Sequence, residues 1–282
     1  MDATVQALID LALAEDIGDG DVTATWFIAA EQQGRAAIVA REPGVLSGSE
    51  VAREVWRRID PGLQLRFEPT DGEAFATGDR LALVEGTARS IVTGERTVLN
   101  FLQRLCGIAA MTARYVAAVA PHPVQVLDTR KTTPGWRLLE KAAVRHGGGT
   151  NHRMGLYDQA MVKDNHLAAD GDLDRLQKAI DRLRSARPEV GVELEADTLE
   201  QVRRFAGLRG VDWILLDNMP PDDLRKAVAL AAGRVRLEAS GGITLDTIGE
   251  VAATGVDAIS CGALTHSVRA LDLGLDWLKD QP

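Results

Sequence analysis

The sequence contains few cysteines and aromatic residues and has no long apolar run. Two of its 282 residues are cysteines, Cys106 and Cys261, and aromatic residues make up 4%. The cysteines lie far apart and match no metal-ligand spacing, which predicts two reduced thiols in packed surroundings. No uninterrupted apolar run reaches the roughly 18 residues that a membrane-spanning helix requires, so we expect no membrane partner.

An excess of positive charge is also missing. The chain has 32 Lys and Arg residues against 41 Asp and Glu residues, for a net charge of −9, which argues against a general nucleic-acid surface. Residues 1–21 include acidic residues and no basic one, a pattern that does not fit a secretory signal peptide. We therefore expect a cytoplasmic protein without a nucleic-acid partner.

Three common nucleotide-binding and hydrolase motifs are absent from the sequence. It has no G-x-x-x-x-G-K-S/T phosphate loop and no G-x-G-x-x-G after a predicted strand. It also lacks the G-x-S-x-G nucleophile elbow. These absences argue against a P-loop nucleotidase, a dinucleotide-binding fold of the usual kind and an α/β-hydrolase.

One segment reverses the acidic balance of the chain. Residues 128–166 hold seven Lys and Arg residues against four Asp and Glu residues, so this segment carries +3 and the remainder −12. The seven are Arg130, Lys131, Arg137, Lys141, Arg145, Arg153 and Lys163. A basic island in an acidic protein suits a small polyanionic ligand held in a pocket. Charge alone leaves a solvated, salt-bridged surface as the alternative.

The first hundred residues predict a small α+β domain. Apolar residues from Val5 to Leu13 recur at helical spacing, and β-like runs follow at 36–40, 63–67 and 80–84. From Thr93 the pattern becomes helical again. These patterns predict a sandwich-like domain that leads into a long connecting helix.

After Ala120 short apolar runs alternate with amphipathic stretches, which predicts parallel strands joined by helices. The predicted strands are 124–127, 160–162, 190–194, 213–216, 235–237 and 258–259. Polar residues follow each run, and in parallel α/β folds the ligand site lies at the carboxyl ends of the strands. Because a full eight-stranded barrel needs about 250 residues, we predict a shortened, six-stranded parallel α/β barrel, with an open doubly wound sheet as the alternative.

The predicted fold class is therefore α/β, with an N-terminal α+β domain and a parallel barrel. The predicted bounds are 1–107 plus 268–282 for the first domain and 108–267 for the barrel. The C-terminal segment is expected to return to the first domain near Ser267, with a closing helix over Val268–Leu278.

A run of motifs in the second half of the chain resembles the quinolinate phosphoribosyltransferase family. It begins with Val-Leu-Asp-Thr-Arg-Lys-Thr-Thr-Pro-Gly at 126–135 and continues through Asn-His-Arg-Met-Gly-Leu at 151–156 and Val-Lys-Asp-Asn-His at 162–166. Further matches are Glu-Arg-Thr-Val-Leu-Asn at 95–100, Glu-Leu-Glu at 193–195, Leu-Leu-Asp-Asn at 215–218 and Glu-Ala-Ser-Gly-Gly-Ile at 238–243. Nearly the whole chain is covered, although Cys106, Ala110 and Cys261 depart from the usual residues.

The resemblance implies transfer of a phosphoribosyl group from phosphoribosyl pyrophosphate to quinolinate. The products would be nicotinate mononucleotide, pyrophosphate and carbon dioxide, as in de novo NAD biosynthesis. Quinolinate has two carboxylates, and guanidinium groups bind carboxylates through paired hydrogen bonds. By resemblance, the residues that surround it are Arg96, Thr129, Arg130, His152, Arg153 and Lys163.

For the sugar donor, the resemblance implies a phosphate site and a magnesium ion. The expected phosphate-binding residues are Lys131, Ser240, Gly241, Gly242, Gly262 and His266. The Ser-Gly-Gly turn is expected to lead into a helix that starts at Ile243 and Thr244, whose free N–H groups attract anions. Glu195 and Asp217 are the expected Mg²⁺ ligands, directly or through water or pyrophosphate, and the expected catalytic residues together with Lys131. Glu195 is chosen over Glu193 because it aligns with the second acid of the family's Glu-x-Glu.

The family also implies a homodimer or a larger assembly in which Arg96 completes the neighbouring subunit's site. Two alternatives remain at this point. One is a related phosphoribosyltransferase that acts on another carboxylated ring. The other is a non-catalytic phosphate-binding barrel that acts as a sensor, which could dispense with Glu195 and Asp217.

Overall fold

The computed structural model describes residues 1–163 and 173–279. The helices are α1 (Ala3–Ile17), α2 (Val22–Phe27), α3 (Ser49–Ile59), α4 (Ala88–Ala118), α5 (Arg137–His146), α6 (Leu173–Ala186), α7 (Leu199–Phe205), α8 (Pro221–Ala231), α9 (Ile248–Ala252) and α10 (Ala263–His266). The strands are β1 (Gln33–Ala40), β2 (Gly44–Val45), β3 (Gln64–Phe67), β4 (Ala74–Phe75), β5 (Arg80–Thr87), β6 (Gln125–Leu127), β7 (Gln159–Val162), β8 (Gly191–Ala196), β9 (Trp213–Asp217), β10 (Arg236–Ser240), β11 (Ala258–Ser260) and β12 (Leu273–Trp277). In this part of the chain, no helix combines the length and apolarity needed to span a membrane.

Packing divides the chain into two units. The first comprises Met1–Ala113, Thr132–Gly148 and the described residues from Leu264 onward, and the second comprises Arg114–Lys131 and Gly149–Ala263. The first unit therefore includes α5, which lies between β6 and β7 in the chain. The sequence-based domain bounds place α5 in the barrel and are drawn differently at both borders.

The first unit contains an antiparallel sheet with strand order β12-β1-β5-β3 and a small ribbon of β2 and β4. Its core includes Ile38 of β1, Trp56 of α3 and Phe101 of α4, all at most 1% exposed. The Trp56 indole N–H donates to the Ile91 carbonyl at 3.2 Å, which satisfies the polar atom that burial of this side chain removes from water. The predicted strands at 36–40, 63–67 and 80–84 are confirmed, as is the long helix, although it begins at Ala88.

The predicted closing helix over Val268–Leu278 is wrong. Residues Leu273–Trp277 form β12, which pairs antiparallel with β1 in the register Leu273 to Ala40. Apolar side chains at 273, 275 and 277 alternate along the segment, and an alternating pattern is that of a strand with one buried face. The C-terminal segment therefore extends the first sheet at its edge.

The second unit contains six parallel strands in the order β6-β11-β10-β9-β8-β7. From β7 to β11 the strands are neighbours in the same order as in the chain. The first strand, β6, pairs with the last, β11, as it would in a closed ring of strands. Among the described residues no ladder joins β6 to β7. All six predicted strands are confirmed, and helices lie between them in the chain, as the alternation of patterns predicted.

Period-two alternation decides which side chains face the interior of this unit. On β8, Glu193 and Glu195 share a face, as do Leu215 and Asp217 on β9. The register aligns Glu195 with Leu215 across these neighbouring strands. Each strand therefore contributes one side chain near its middle and one at its carboxyl end to the same face.

A close approach of two backbones makes Gly107 of α4 a sensitive position in the first unit. A Cβ atom at Gly107 would lie 2.3 Å from the Arg269 carbonyl oxygen. We expect Gly107→Ala to lower the free energy of unfolding by about 2 kcal/mol, because forced overlap of this kind costs more than the improved helix propensity returns. Urea denaturation measures the change.

The matched control is Gly191→Ala on β8, where the nearest atoms to the added Cβ lie 3.6 Å away, an ordinary contact distance. Its stability should stay within about 0.5 kcal/mol of the wild type. Equal stability of the Gly107→Ala protein would contradict the close approach.

Candidate active site

A cavity of about 230 Å³ lies at the carboxyl ends of the parallel strands of the second unit. Its lining residues are Thr129, Arg130, Lys131, His152, Arg153, Met161, Lys163, Glu195, Leu215, Asp217, Glu238, Ser240 and Ser260. Nine of the side chains chosen from the sequence are therefore brought together. Residues 164–166 of the family motif lie outside the described residues.

Five expected site residues are not in this lining. Gly241 and Gly242 follow β10, and Gly262 lies two positions after the end of β11. Ser240 and Ser260, the last residues of these two strands, do line the cavity. Arg96 and His266 belong to the first unit. There Arg96 is exposed on α4, and the His266 Nδ1 atom lies 2.6 Å from the Ser267 hydroxyl.

Two arginines give the cavity its positive charge. Burial lowers the pKa of Arg153, and the nearby positive charge of Arg130 lowers it further. The Arg153 guanidinium also donates to the Gln159 carbonyl at 3.2 Å, which holds it at the start of β7. Two guanidinium groups that repel each other in a partly buried cavity are relieved by a bound anion.

Acidic and basic groups also meet at the ends of β7 and β8. The Lys163 ammonium forms an ion pair with the Glu195 carboxylate, and Glu195 is 9% exposed. β8 ends at Ala196 because the chain then enters a capping box, in which the Thr198 hydroxyl accepts from the Gln201 backbone N–H. Thr198 is therefore the N-cap of α7.

Asp217 is oriented by its neighbour in the chain. The Asn218 side-chain amide donates to Asp217 Oδ2 at 2.8 Å, and the Asn218 backbone N–H donates to the Ser240 carbonyl at 2.8 Å. Asn218 adopts a positive φ of 53°, which asparagine tolerates better than most residues. The ends of β9 and β10 are thus fixed together.

Gly241 is required at this junction for two reasons. Its φ is +102°, and a Cβ atom there would lie 2.1 Å from the Asn218 side-chain oxygen. The predicted helix start at Ile243 and Thr244 is wrong, because α9 begins at Ile248. The reason is local: the Thr247 hydroxyl accepts from the Thr244 N–H at 3.0 Å and holds residues 244–247 in a turn.

Sequence reasoning missed the carboxylates that surround His152. Its Nε2 atom lies 3.3 Å from Glu193 Oε2 and 3.2 Å from Glu238 Oε2, and the two glutamates are 0% and 2% exposed. One oxygen of each, Oε1, has no hydrogen-bond partner among the described residues. Glu238 could have been found from the sequence, because it lies two positions before Ser240 and so shares its face of β10.

Burial lowers the pKa of His152, but hydrogen bonds and charge from Glu193 and Glu238 outweigh it and raise this pKa to about 10. Burial raises the pKa of Glu193, with His152 opposing the shift and Glu238 adding to it. The Arg153 backbone N–H approaches His152 Nδ1 at 2.7 Å, a contact that favours the neutral ring. We interpret the ring as a cation because two buried carboxylates outweigh one neutral hydrogen bond.

These three side chains also lie close enough together to hold a metal ion. A protonated imidazole has no lone pair to offer a metal, so the cluster is better described as an ion triad. Asp128, which is 0% exposed, fixes the backbone of His152: its carboxylate accepts a hydrogen bond from the His152 backbone N–H at 2.9 Å. The triad therefore places a positive ring in the cavity wall.

The two cysteines match the expectation of packed thiols. Both are buried, and burial raises the pKa of Cys106 and of Cys261 to about 12. Thiols with such pKa values are protonated at neutral pH and are poor nucleophiles.

The fold and the cavity define a class of protein before any comparison: a parallel α/β fold whose strand ends bring cations and carboxylates together around one cavity. Comparison with known proteins gives the family. The domain described as quinolinate phosphoribosyl transferase, C-terminal domain, matches residues 108–276, and the N-terminal domain of the same name matches residues 21–106. The chain belongs to the quinolinate phosphoribosyltransferase family.

Individual relatives match most of this chain and most of their own length. The chain is 42% identical over 287 residues to quinolinate phosphoribosyltransferase (decarboxylating) 1 of Nicotiana glauca, covering 96% of this chain and 81% of that one. The solved structure of NadC from Streptococcus pyogenes superposes with a TM-score of 0.90 at 40% identity and covers 98% of this chain and 97% of its own. The nicotinate-nucleotide pyrophosphorylase from Francisella tularensis gives 0.91 at 37% identity, with 98% and 96% covered.

The ion triad leads to a prediction about pH. We expect His152 to remain protonated until the pH approaches about 10, whereas a free imidazole titrates near about 6.5. Because the folded pKa is the higher one, the stabilisation is fully present below about pH 6.5 and is lost as the pH rises towards 10. Ring-nitrogen NMR of histidine-labelled protein measures the titration.

The signal is assigned with His152→Asn, which removes one resonance. A His152 resonance that titrates near about pH 6.5 would show that the ring is neutral and that the triad carries its proton on a glutamate.

Proposed function

We propose that the chain transfers the phosphoribosyl group of phosphoribosyl pyrophosphate to quinolinate, with decarboxylation, to give nicotinate mononucleotide, pyrophosphate and carbon dioxide. One observation carries this proposal. Arg130, Arg153 and Lys163 face the same cavity as Glu195 and Asp217. A doubly negative ring requires the first set, and a cationic sugar centre requires the second.

Quinolinate binding is assigned to the cationic part of the cavity. Arg130 and Arg153 offer planar donor forks that match carboxylates, and the protonated His152 and Lys163 add charge between them. Thr129 lines the same wall and supplies a hydroxyl. Arg96, exposed on α4, is proposed to complete the site of a partner subunit in a homodimer.

The sugar donor is assigned to the opposite part of the lining. Lys131 and Ser240 offer donors to phosphate, and the Gly241–Gly242 turn and Gly262 allow close backbone approach. His266 is proposed to bind the same phosphate group, and the support for this role is the family motif alone.

The acids at the ends of β8 and β9 fit a magnesium site. Glu195 and Asp217 provide carboxylate oxygens on neighbouring strands, the ligand type that Mg²⁺ prefers, and a partial set suffices for an ion that retains water. When bound, Mg²⁺ would neutralise charge on the pyrophosphate group. The same carboxylates face the sugar carbon and favour the positive charge that develops there as pyrophosphate departs.

The residues act by position and field, without a covalent enzyme intermediate. The arginine pair and Lys163 hold the ring so that its nitrogen reaches the sugar carbon. The resulting pyridinium ring accepts the electron pair of the bond to the 2-carboxylate, carbon dioxide leaves, and the ring carbon takes up a proton. A related enzyme for a different ring is disfavoured because the cation set matches a second carboxylate, and a sensor would need no paired acids at the sugar position.

Substrate discrimination tests the function directly. Pyrophosphate release in the presence of Mg²⁺ and phosphoribosyl pyrophosphate should be supported by quinolinate. It should be about 10⁴-fold slower in kcat/KM with nicotinic acid, because the missing carboxylate leaves cationic groups of the cavity without the anion that they bind. A coupled pyrophosphate assay measures both rates. Comparable turnover of nicotinic acid would rule out a site built for two carboxylates, and no turnover of either ring would favour the sensor.

Mixed subunits test the proposed dimer. Arg96→Ala and Lys131→Ala should each lower kcat/KM by at least about 100-fold, because each removes a charge that meets substrate. If Arg96 serves the partner's site, co-refolded mixtures should regain up to about a quarter of wild-type activity, since one site in mixed dimers keeps both residues. Activity is measured against the refolded single variants; mixtures no more active than these would show that Arg96 serves its own subunit or none.

A further inference from the structure

Arg104 of α4 and Glu140 of α5 form a partly buried ion pair that the proposed chemistry does not use. The Arg104 Nη2 atom lies 3.0 Å from Glu140 Oε1, and the Glu140 side chain is 0% exposed. Both residues belong to the first unit. A buried ion pair is weak evidence for a stabilising role, because desolvation offsets much of its attraction, so another reason for its presence is needed.

Glu140 holds the chain segment that directly follows Lys131. The Thr133 backbone N–H donates to Glu140 Oε2 at 3.1 Å, and the Thr133 hydroxyl donates to Oε1 at 2.9 Å. Beside them, Arg137 Nε donates to the Thr132 hydroxyl at 3.0 Å. Two consecutive residues are therefore fixed to the first turn of α5, and the peptide that leaves Lys131 starts from this fixed point.

Arg104 holds a second segment, the one that contains His266. Its guanidinium donates to the Thr265 carbonyl and, at 3.0 Å, to the Val268 carbonyl. The bonds thus lie on both sides of His266 in the chain. One turn later on α4, the absence of a side chain at Gly107 lets the Arg269 carbonyl approach closely. The backbone of 265–269 is therefore seated on α4 through atoms that any other side chain at 107 would displace.

The ion pair connects the two sets of hydrogen bonds, those made by Glu140 and those made by Arg104. Glu140 Oε1 accepts from both Arg104 and Thr133, so a single carboxylate oxygen connects the loop after Lys131 with the segment around His266. A charged acceptor with several donors strengthens each of these hydrogen bonds. Lysine at 104 or glutamine at 140 would keep only part of this arrangement.

We propose that Arg104 and Glu140 are positioning residues for phosphoribosyl pyrophosphate: they hold the residues that directly follow Lys131 and those that flank His266. The inference rests on the proposed function, which assigns those two side chains to phosphate. The inference predicts that changes at Arg104 or Glu140 weaken the binding of phosphoribosyl pyrophosphate and leave the binding of quinolinate almost unchanged. Because the reaction proceeds by positioning, displacement of a binding group by about 1 Å can cost up to about 100-fold in rate.

The test measures KM for each substrate and the Kd of phosphoribosyl pyrophosphate by calorimetry. Glu140→Gln should raise both donor constants by about tenfold, whereas KM for quinolinate should change less than about twofold. Thr133→Val removes one donor at an exposed position and should shift the donor constants in the same direction by about threefold. Arg104→Lys keeps the charge but loses the fork and should resemble Glu140→Gln.

The matched control is Glu68→Gln, which breaks the exposed ion pair between Arg80 and Glu68 in the same unit and should leave all constants unchanged. Thermal denaturation of every variant accompanies the kinetics. Equal increases of both KM values that follow the loss of stability would mean a structural role and would overturn the proposal. So would unchanged donor constants in Glu140→Gln and Thr133→Val.

Calorimetry measures binding of phosphoribosyl pyrophosphate without turnover, so it tests the positioning role separately from the proposed function. Wild-type protein that binds phosphoribosyl pyrophosphate without turning over quinolinate would overturn the function, while weaker donor binding by Glu140→Gln would still support the positioning role. Wild-type protein that binds no phosphoribosyl pyrophosphate would overturn both.

Discussion

The alternation of side chains along parallel strands is the constraint on which the second unit depends. Strands that run in the same direction end at the same edge, and every second side chain faces the same way. Each strand therefore has to supply an interior residue and, two positions later, a residue at the edge. Glu193 with Glu195, Leu215 with Asp217, and Glu238 with Ser240 are three instances. A shift of one position in any strand would turn both of its residues away from the cavity.

This constraint explains why charged residues lie deep inside a structural unit. Glu193 and Glu238 occupy the interior positions of their strands, where an isolated carboxylate would be costly. They are tolerated because His152 lies between them, and His152 is held there because Asp128 fixes its backbone. The protonated ring lines the same cavity as Arg130 and Arg153, which repel each other, while the two glutamates offset the charge of the ring. The site is thus built from groups that are each unfavourable alone and that a bound dianion brings closer to neutrality.

Sequence patterns predicted most helices and strands of the fold, but not the type of the last element or the first residue of α9. Apolar runs and helical stripes are local, so β6 to β11 and the long helix α4 could be predicted from them. The strand β12 was mistaken for a helix because its role depends on an edge of β1 that lies more than two hundred positions away. The turn at Thr244 depends on one hydroxyl bond, which propensity does not register. The site residues came from matched motifs, and strand alternation was enough to place Glu238 beside Ser240. Glu140 needed coordinates, because its partner Arg104 lies 36 positions away in the chain.

A reaction that forms no covalent bond to the enzyme depends strongly on the residues that hold the substrate-binding side chains in position. The groups that touch substrate can only offer charge and position, and position is set by what holds the backbone. At the strand ends, Asn218 performs this task for Asp217, and Gly241 leaves it room. In the first unit, Arg104 and Glu140 are proposed to have the same relation to the residues that follow Lys131 and to those that flank His266. Side chains that never meet substrate therefore belong to the mechanism to the extent that the geometry of the reactants depends on them.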